Sequence, residues 1–349
     1  MPPYKIYHFI LSVREQKKEQ ALVKGNMFLD KIKSGQSGIL TYGITPPKDG
    51  TTPEKVQEIA EKTMARIIPL DIDALVVYDV QDESARTAAE RPFPFMNALD
   101  PLGFSKQYLQ DIKAPKIIYR PAGKYSKEEL GEWLNDIHNH QFFPVFVGVP
   151  AADFEVKVSL PEAYQLWQKY QDSSAIGAVT IPERHAILQD EDKRILDKAS
   201  SGVSFFISQC VFNLDYAKKM VDDLCATCTK EGATPPTLIF TLTVCGSLKT
   251  LRFMEWLGIH IPDTLKDQLV ASDNMLEDSL KVCLDNAAAL ISFCSEKCVP
   301  FGFNIESLAI RKDEINASID LVSKIGTMLN RPNSQQEISA PVSVSKENE

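Results

Sequence analysis

Val203-Ser204-Phe205-Phe206-Ile207-Ser208-Gln209-Cys210-Val211 is a short, nearly continuous apolar run, and Leu214–Lys230 directly after it repeats apolar residues at helical spacing. The run is too short for a helix and rich in Val, Ile and Phe, so it reads as a strand buried on both faces. Seven further runs share this character: Gly38–Thr45, Ala74–Asp79, Lys116–Arg120, Phe143–Val149, Ile176–Ile181, Thr237–Val244 and Phe301–Ile305. Nearly all end in polar or charged residues before a helical stretch begins. Eight β-then-α units favour parallel pairing and a (β/α)8 barrel, the TIM-barrel architecture. The rival open doubly wound sheet lacks support, because neither GxGxxG nor GxxxxGK[ST] follows a strand. In a barrel of this kind the residues just beyond each strand form the site.

The spacing predicts helices over Thr52–Leu70, Leu160–Tyr170, Asp190–Ala199, Leu214–Lys230, Ser247–Leu257 and Lys312–Leu329, with an extra one over Leu265–Lys297. Ser126-Lys127-Glu128-Glu129 has a capping-box pattern and starts another. Val13–Ser34 is also periodic and is placed to plug the bottom of the barrel. The segment Ser84–Gly103, with Pro92, Pro94 and Pro101, reads as a long irregular insertion of the kind that forms lids. The expected organisation is a helical extension over 1–35, a barrel over 36–330 and a disordered polar tail over 331–349.

The chain has 349 residues and a net charge of -9, which argues against a nucleic-acid footprint. No apolar stretch approaches the roughly 18 residues of a membrane span. The apolar start meets Arg14, Lys17 and Lys18 without a small-residue cleavage site, so no secretory signal is expected. The seven cysteines read as reduced thiols of a cytoplasmic protein. Cys225 and Cys228 form a CxxC inside a helical pattern, where helix packing is the ordinary role. No His, Cys, Asp and Glu cluster has metal-ligand spacing, and no GxSxG elbow supports hydrolase chemistry.

Several strand ends resemble those of the methylenetetrahydrofolate reductase family. Gly202–Phe212 is similar to its Gly-Ala-x-x-x-Ile-Thr-Gln-x-Phe-Phe segment, and Ile181-Pro182-Glu183-Arg184-His185 to its Tyr-Pro-Glu-x-His. Thr41–Lys48 resembles its first strand, Ser-Phe-Glu-Phe-Phe-Pro-Pro-Arg, and Phe301-Gly302-Phe303 falls at its aromatic strand-eight motif. The resemblance spans roughly residues 27 to 330 in order and implies a (β/α)8 barrel. It implies an oxidoreductase of one-carbon metabolism that reduces 5,10-methylenetetrahydrofolate to 5-methyltetrahydrofolate, with hydride from NAD(P)H through FAD. It further implies that Gln209 contacts the pterin and His185 lies in the flavin pocket. By the same resemblance Lys198 approaches the flavin phosphates, with Glu191 at a nearby acidic position.

The chain departs from that pattern elsewhere. The acid of strand one is Gly43, and Leu-Arg-Gly-Asp after strand four is Phe146-Val147-Gly148-Val149. Lys116, Ile181 and Leu308 replace a histidine, a tyrosine and an arginine. These departures point to hydride transfer without flavin, as in some divergent members, or to an inactive barrel that binds folate or a protein partner.

Opening the imidazolidine ring needs an acid. Glu306, directly after the eighth run, is the first candidate and Glu183 the second, since a closed mouth desolvates a carboxyl and raises its pKa. Gln209 can donate and accept at a pterin edge. Arg120 and Lys116 flank the third run, where a cation suits the glutamate tail of folate. Asp79 follows the second run with Asp82 and Glu83 and is read as a substrate contact. Each has an ordinary role beside the functional one: loop acid or helix cap for Glu306, satisfied interior amide for Gln209, ion pair for Arg120, solvated amine for Lys198. The expected partner is folate, with no metal, nucleic acid or membrane, and self-association is left open.

Overall fold

The computed structural model describes residues 27–84, 87–148, 155–170 and 173–330. Eight parallel strands close into one barrel in chain order: β1 Ile39–Ile44, β2 Ala74–Val77, β3 Lys116–Pro121, β4 Phe143–Val147, β5 Ile176–Thr180, β6 Val203–Cys210, β7 Thr237–Thr243 and β8 Phe301–Glu306. The (β/α)8 barrel expected from the repeat is therefore the fold. A helix α1 over 27–34 precedes β1. The outer ring comprises α2 Pro53–Ile67, α3 Pro101–Tyr108, α4 Lys127–Asn139, α5 Leu160–Trp167, α6 Pro182–Leu188, α7 Glu191–Ser200, α8 Leu214–Glu231, α9 Leu248–Trp256, α10 Asp263–Ala271, α11 Met275–Glu296 and α12 Lys312–Met328. No described helix is long and apolar enough to cross a membrane. The expected tail over 331–349, residues 13–26 of the first predicted helix, and Val149 lie outside the described residues.

Local chemistry explains where the elements begin and end. Ser126 and Glu129 form a reciprocal capping box at α4, and Ser159 with Glu162 forms another at α5. Two helices occupy the stretch expected to hold one over Leu265–Lys297. The break falls at Ser272, whose extended backbone ends α10, and Asn274 then caps α11 by accepting from the Glu277 amide. The stretch after β5 is also divided. Pro182 starts α6, and Gln189 in the left-handed conformation (φ 53°) ends it before α7.

Side chains alternate along each strand, so every second residue enters the barrel. The lower interior is apolar: Ile39, Ala74, Ile117, Phe143, Phe205 and Ile239 pack in one cluster with Phe28 of α1. Phe28 is fully buried, with its ring 4.8 Å from Phe143 and 5.6 Å from Phe205. Lys31 holds α1 in place through Asp73 at 2.7 Å, and Asp73 in turn accepts from the Leu40 amide at 2.8 Å. Gly177 makes room for this layer, since a Cβ there would lie 2.4 Å from the Phe205 ring.

The upper interior is polar, and its central amide is satisfied. Asn304 on β8 accepts from the Thr41 hydroxyl at 2.9 Å and donates to the Tyr78 hydroxyl at 2.7 Å and to Thr241 at 3.3 Å. A buried amide with all these partners costs little and fixes the register of β1, β7 and β8. The barrel is thus plugged at one end and graded toward polarity at the other.

Candidate active site

The strands end around Glu306. It is the last residue of β8 and stands opposite Gly43 of β1 and Thr243 of β7 in the parallel register. Even-numbered β8 positions face inward, because Asn304 does, so the Glu306 carboxyl enters the mouth above the Asn304 network. The Cys210 thiol donates to Glu306 Oε1 at 3.1 Å, and Tyr78 forms a side-chain hydrogen bond with the same carboxyl. Among the described residues no Lys or Arg forms an ion pair with it. Burial pushes its pKa above the usual carboxylate range, and the Tyr78 and Cys210 bonds only partly oppose this. Burial and the nearby Glu306 carboxyl also raise Tyr78 and Tyr119. Their rings meet edge-on at 4.8 Å. A carboxyl in this setting holds its proton to higher pH than a solvated one and can deliver it to a bound substrate.

Glu183 is a second carboxyl, in the first turn of α6. Only 8% of the residue is exposed. The His260 amide donates to Oε1 at 3.4 Å, and Oε2 has no hydrogen-bond partner. Burial pushes Glu183 up to about 7. Burial, Glu306 and Glu183 together raise the Cys210 thiol, so both carboxyls act on one group between them. His260 is held by Asn213 at 3.0 Å and by the Tyr216 ring at 4.8 Å. Gln209 belongs to the same side of the mouth, and its amide donates to the Leu257 carbonyl at 2.8 Å.

Arg120 and Asp79 are brought to each other rather than to Glu306. Arg120 alternates with the inward Tyr119 and faces the helices. It donates to Asp100 at 2.7 Å and to the Tyr125 hydroxyl at 3.1 Å, and lies 3.6 Å from Asp79. Its guanidinium also covers the Tyr125 and Trp133 rings. Burial raises the Asp79 carboxyl more than Arg120 lowers it. Asp82 accepts from the Ser84 amide at 3.0 Å on the exposed insertion. Lys116 starts β3 at the opposite end of the barrel and donates to the Ile112 carbonyl.

His185, Lys198 and Glu191 form a separate group behind β5. His185 is buried, with Nε2 2.8 Å from Asp223 of α8 and Nδ1 3.8 Å from Asp192. Glu191 is fully buried, takes a bidentate contact from Arg184 and accepts from the Ile181 amide. Lys198 donates to the Val179 carbonyl at 2.9 Å, and burial brings it down to about 8. These side chains tie α6, α7 and α8 to β5. Engaged in this way, they do not fit the phosphates of a flavin dinucleotide.

Tyr78, Cys210 and Asn304 complete the mouth, and strand-end reading did not single them out. Alternation counted back from Glu306 finds Asn304. Tyr78 is visible only once the space beside Gly43 is known. No group of metal-ligating side chains occurs among the described residues.

A closed (β/α)8 barrel with acids at its C-terminal mouth defines the class. The profile of the family described as methylenetetrahydrofolate reductase matches residues 151–303. A solved structure from Clostridium thermocellum, described as an uncharacterized protein that binds two copies of 5-methyl-5,6,7,8-tetrahydrofolic acid, is 41% identical. That alignment covers 86% of this chain and 98% of the other, with a TM-score of 0.76. A 2,3-dimethylmalate lyase aligns over 87% of this chain and 96% of its own at 10% identity and a TM-score of 0.40. No curated protein matches the chain. This chain belongs to the methylenetetrahydrofolate reductase family.

Proposed function

We propose that the protein reduces 5,10-methylenetetrahydrofolate to 5-methyltetrahydrofolate with hydride from NAD(P)H, and that Glu306 supplies the proton. In this reaction the hydride adds to the bridging methylene carbon, and the proton goes to the ring nitrogen whose bond to that carbon breaks. NAD(P)+ leaves as the oxidised product. The observation that carries the reading is the half-buried Glu306 carboxyl, directly across from Gly43 and bonded by a phenol and a thiol instead of a cation. Its pKa is raised, the direction in which an acid keeps the proton it must deliver. Gln209 and Glu183 lie at the same mouth, where an amide and a carboxylate suit the donors and acceptors of a pterin edge. No step is routed through a flavin, because His185, Lys198 and Glu191 are committed to the scaffold. All seven cysteines are free thiols, in keeping with a cytoplasmic location.

Purified protein mixed with methylenetetrahydrofolate and NADH or NADPH should consume the nicotinamide, followed by its absorbance. No turnover with either nucleotide, with or without added FAD, overturns the proposal. A second reading is a folate-binding barrel without catalysis. The C. thermocellum protein, described as binding 5-methyltetrahydrofolic acid, favours it. Tight 5-methyltetrahydrofolate binding without nicotinamide oxidation would establish that reading instead.

A further inference from the structure

We propose that Tyr78 is the positioning residue for Glu306, its hydroxyl seated in the space that Gly43 leaves open and directed at the carboxyl. The proposal rests on the assignment of Glu306 as the proton donor.

Space is the first argument. A Cβ on Gly43 would lie 2.8 Å from Tyr78 Cε2, 3.0 Å from its hydroxyl and 3.2 Å from Glu306 Cβ. Any side chain at position 43 therefore collides with Tyr78 as it now lies. The missing side chain on β1 lets the phenol of the residue just after β2 reach across to β8. The Tyr119 ring, edge-on at 4.8 Å, supports it from the other side.

Hydrogen-bond direction is the second argument. The Thr41 hydroxyl donates to Asn304 Oδ1, which fixes the orientation of that amide. Asn304 Nδ2 must then donate, and it does so to the Tyr78 oxygen at 2.7 Å. The oxygen is taken as an acceptor there, so the phenolic hydrogen remains for Glu306. A one-way chain runs from Thr41 through Asn304 and Tyr78 to the carboxyl. The titratable groups that face Glu306 are Tyr78, Tyr119 of β3 and Cys210 of β6; Tyr42, beside Gly43 on β1, points to the helix layer and bonds Ser318 at 2.9 Å. Of these, Tyr78 and Cys210 bond to it directly.

Tyr78→Phe keeps the ring and removes the donor. Glu306 should then hold its proton more tightly, because a charged carboxylate loses a hydrogen bond. The alkaline limb of the rate profile should move up by about one pH unit. A second readout needs no turnover: the infrared carbonyl band of protonated Glu306, assigned with Glu306→Gln, should persist to a higher pH in Tyr78→Phe. Gly43→Ala, which displaces the phenol, should move the band the same way and serves if the first variant does not fold. A band with the same midpoint in wild type and both variants overturns the proposal. A shifted band in a protein without turnover upholds Tyr78 and refutes Glu306 as the proton donor of this reaction.

Discussion

Half-buried Glu306 and buried Glu183 are carboxyls at one mouth, yet they make different predictions. Glu306→Gln keeps the shape and hydrogen-bonding capacity of the side chain but cannot release the proton. Its kcat should fall by about 10²- to 10⁴-fold, while 5-methyltetrahydrofolate still binds; undiminished turnover removes it as the acid. Glu183 acts on stability. Its pKa rises from 4.5 to about 7 on folding. Below 4.5 both states hold the proton and nothing is lost. Between 4.5 and 7 the unfolded chain releases it and the folded one does not, so stability falls as pH rises, by up to about 3 kcal/mol. Between pH 5 and pH 8 in urea unfolding, Glu183→Gln should lose less stability than the wild type, the difference being the Glu183 share; an equal loss in both would show that Glu183 is not the group responsible. Strand-end position sufficed to pick out both carboxyls. The same logic could not tell that Arg120 faces outward or that His185, Lys198 and Glu191 bind one another's neighbours. Direction within a loop or helix turn depends on packing partners distant in the chain.

The elements carry the barrel signal because the strands are short, apolar and closed by polar residues, and α2, α3, α4, α5, α8, α9 and α11 each start at a side-chain cap. Less was legible where the local pattern is continuous but one residue interrupts it, as at Ser272 and Gln189. The insertion before α3 also needed the structure. Its 97–99 stretch pairs with residues 47–49 beyond β1, the Asp49 amide donating to the Asn97 carbonyl at 2.8 Å and the Leu99 amide to the Pro47 carbonyl at 2.9 Å. Farther along, Arg91 lies over Phe253 at 4.9 Å and Trp256 at 5.1 Å, and the Trp256 indole donates to the Ala89 carbonyl at 3.0 Å. The insertion after β2 is therefore anchored on α9, beyond β7, and passes near the mouth. Trp256→Ala removes the stacking surface and the bond together, worth about 1–2 kcal/mol. Limited proteolysis within 87–100 should speed up about tenfold while overall unfolding changes little. An unchanged cleavage rate would show that the pairing with 47–49 holds the insertion without α9.

Closure of the barrel makes distant parts of the chain depend on one another, since β8 completes the sheet by pairing with β1. The polar ladder of Thr41, Asn304, Thr241 and Tyr78 needs all of β1, β2, β7 and β8 in place before any member is satisfied. The lower end has the same dependence in apolar form. Phe28 fills the space between Phe143 of β4 and Phe205 of β6, and that space exists only in the closed ring. The predicted plug role for this part of the chain followed from periodicity before β1, but the residue that enters the barrel did not. Phe28, Met27 and Leu29 are adjacent apolar residues, and only the helix phase separates the buried Phe28 from the exposed Met27. Phe28→Ala would open a cavity walled by rigid strands that cannot collapse inward. The expected loss is about 3–5 kcal/mol in urea unfolding, with a single transition retained. The mouth lies at the opposite end, so the proposed reduction of methylenetetrahydrofolate should proceed at an unaltered rate below the transition. A loss under about 1 kcal/mol would mean that α1 lies on the barrel without contributing to its core.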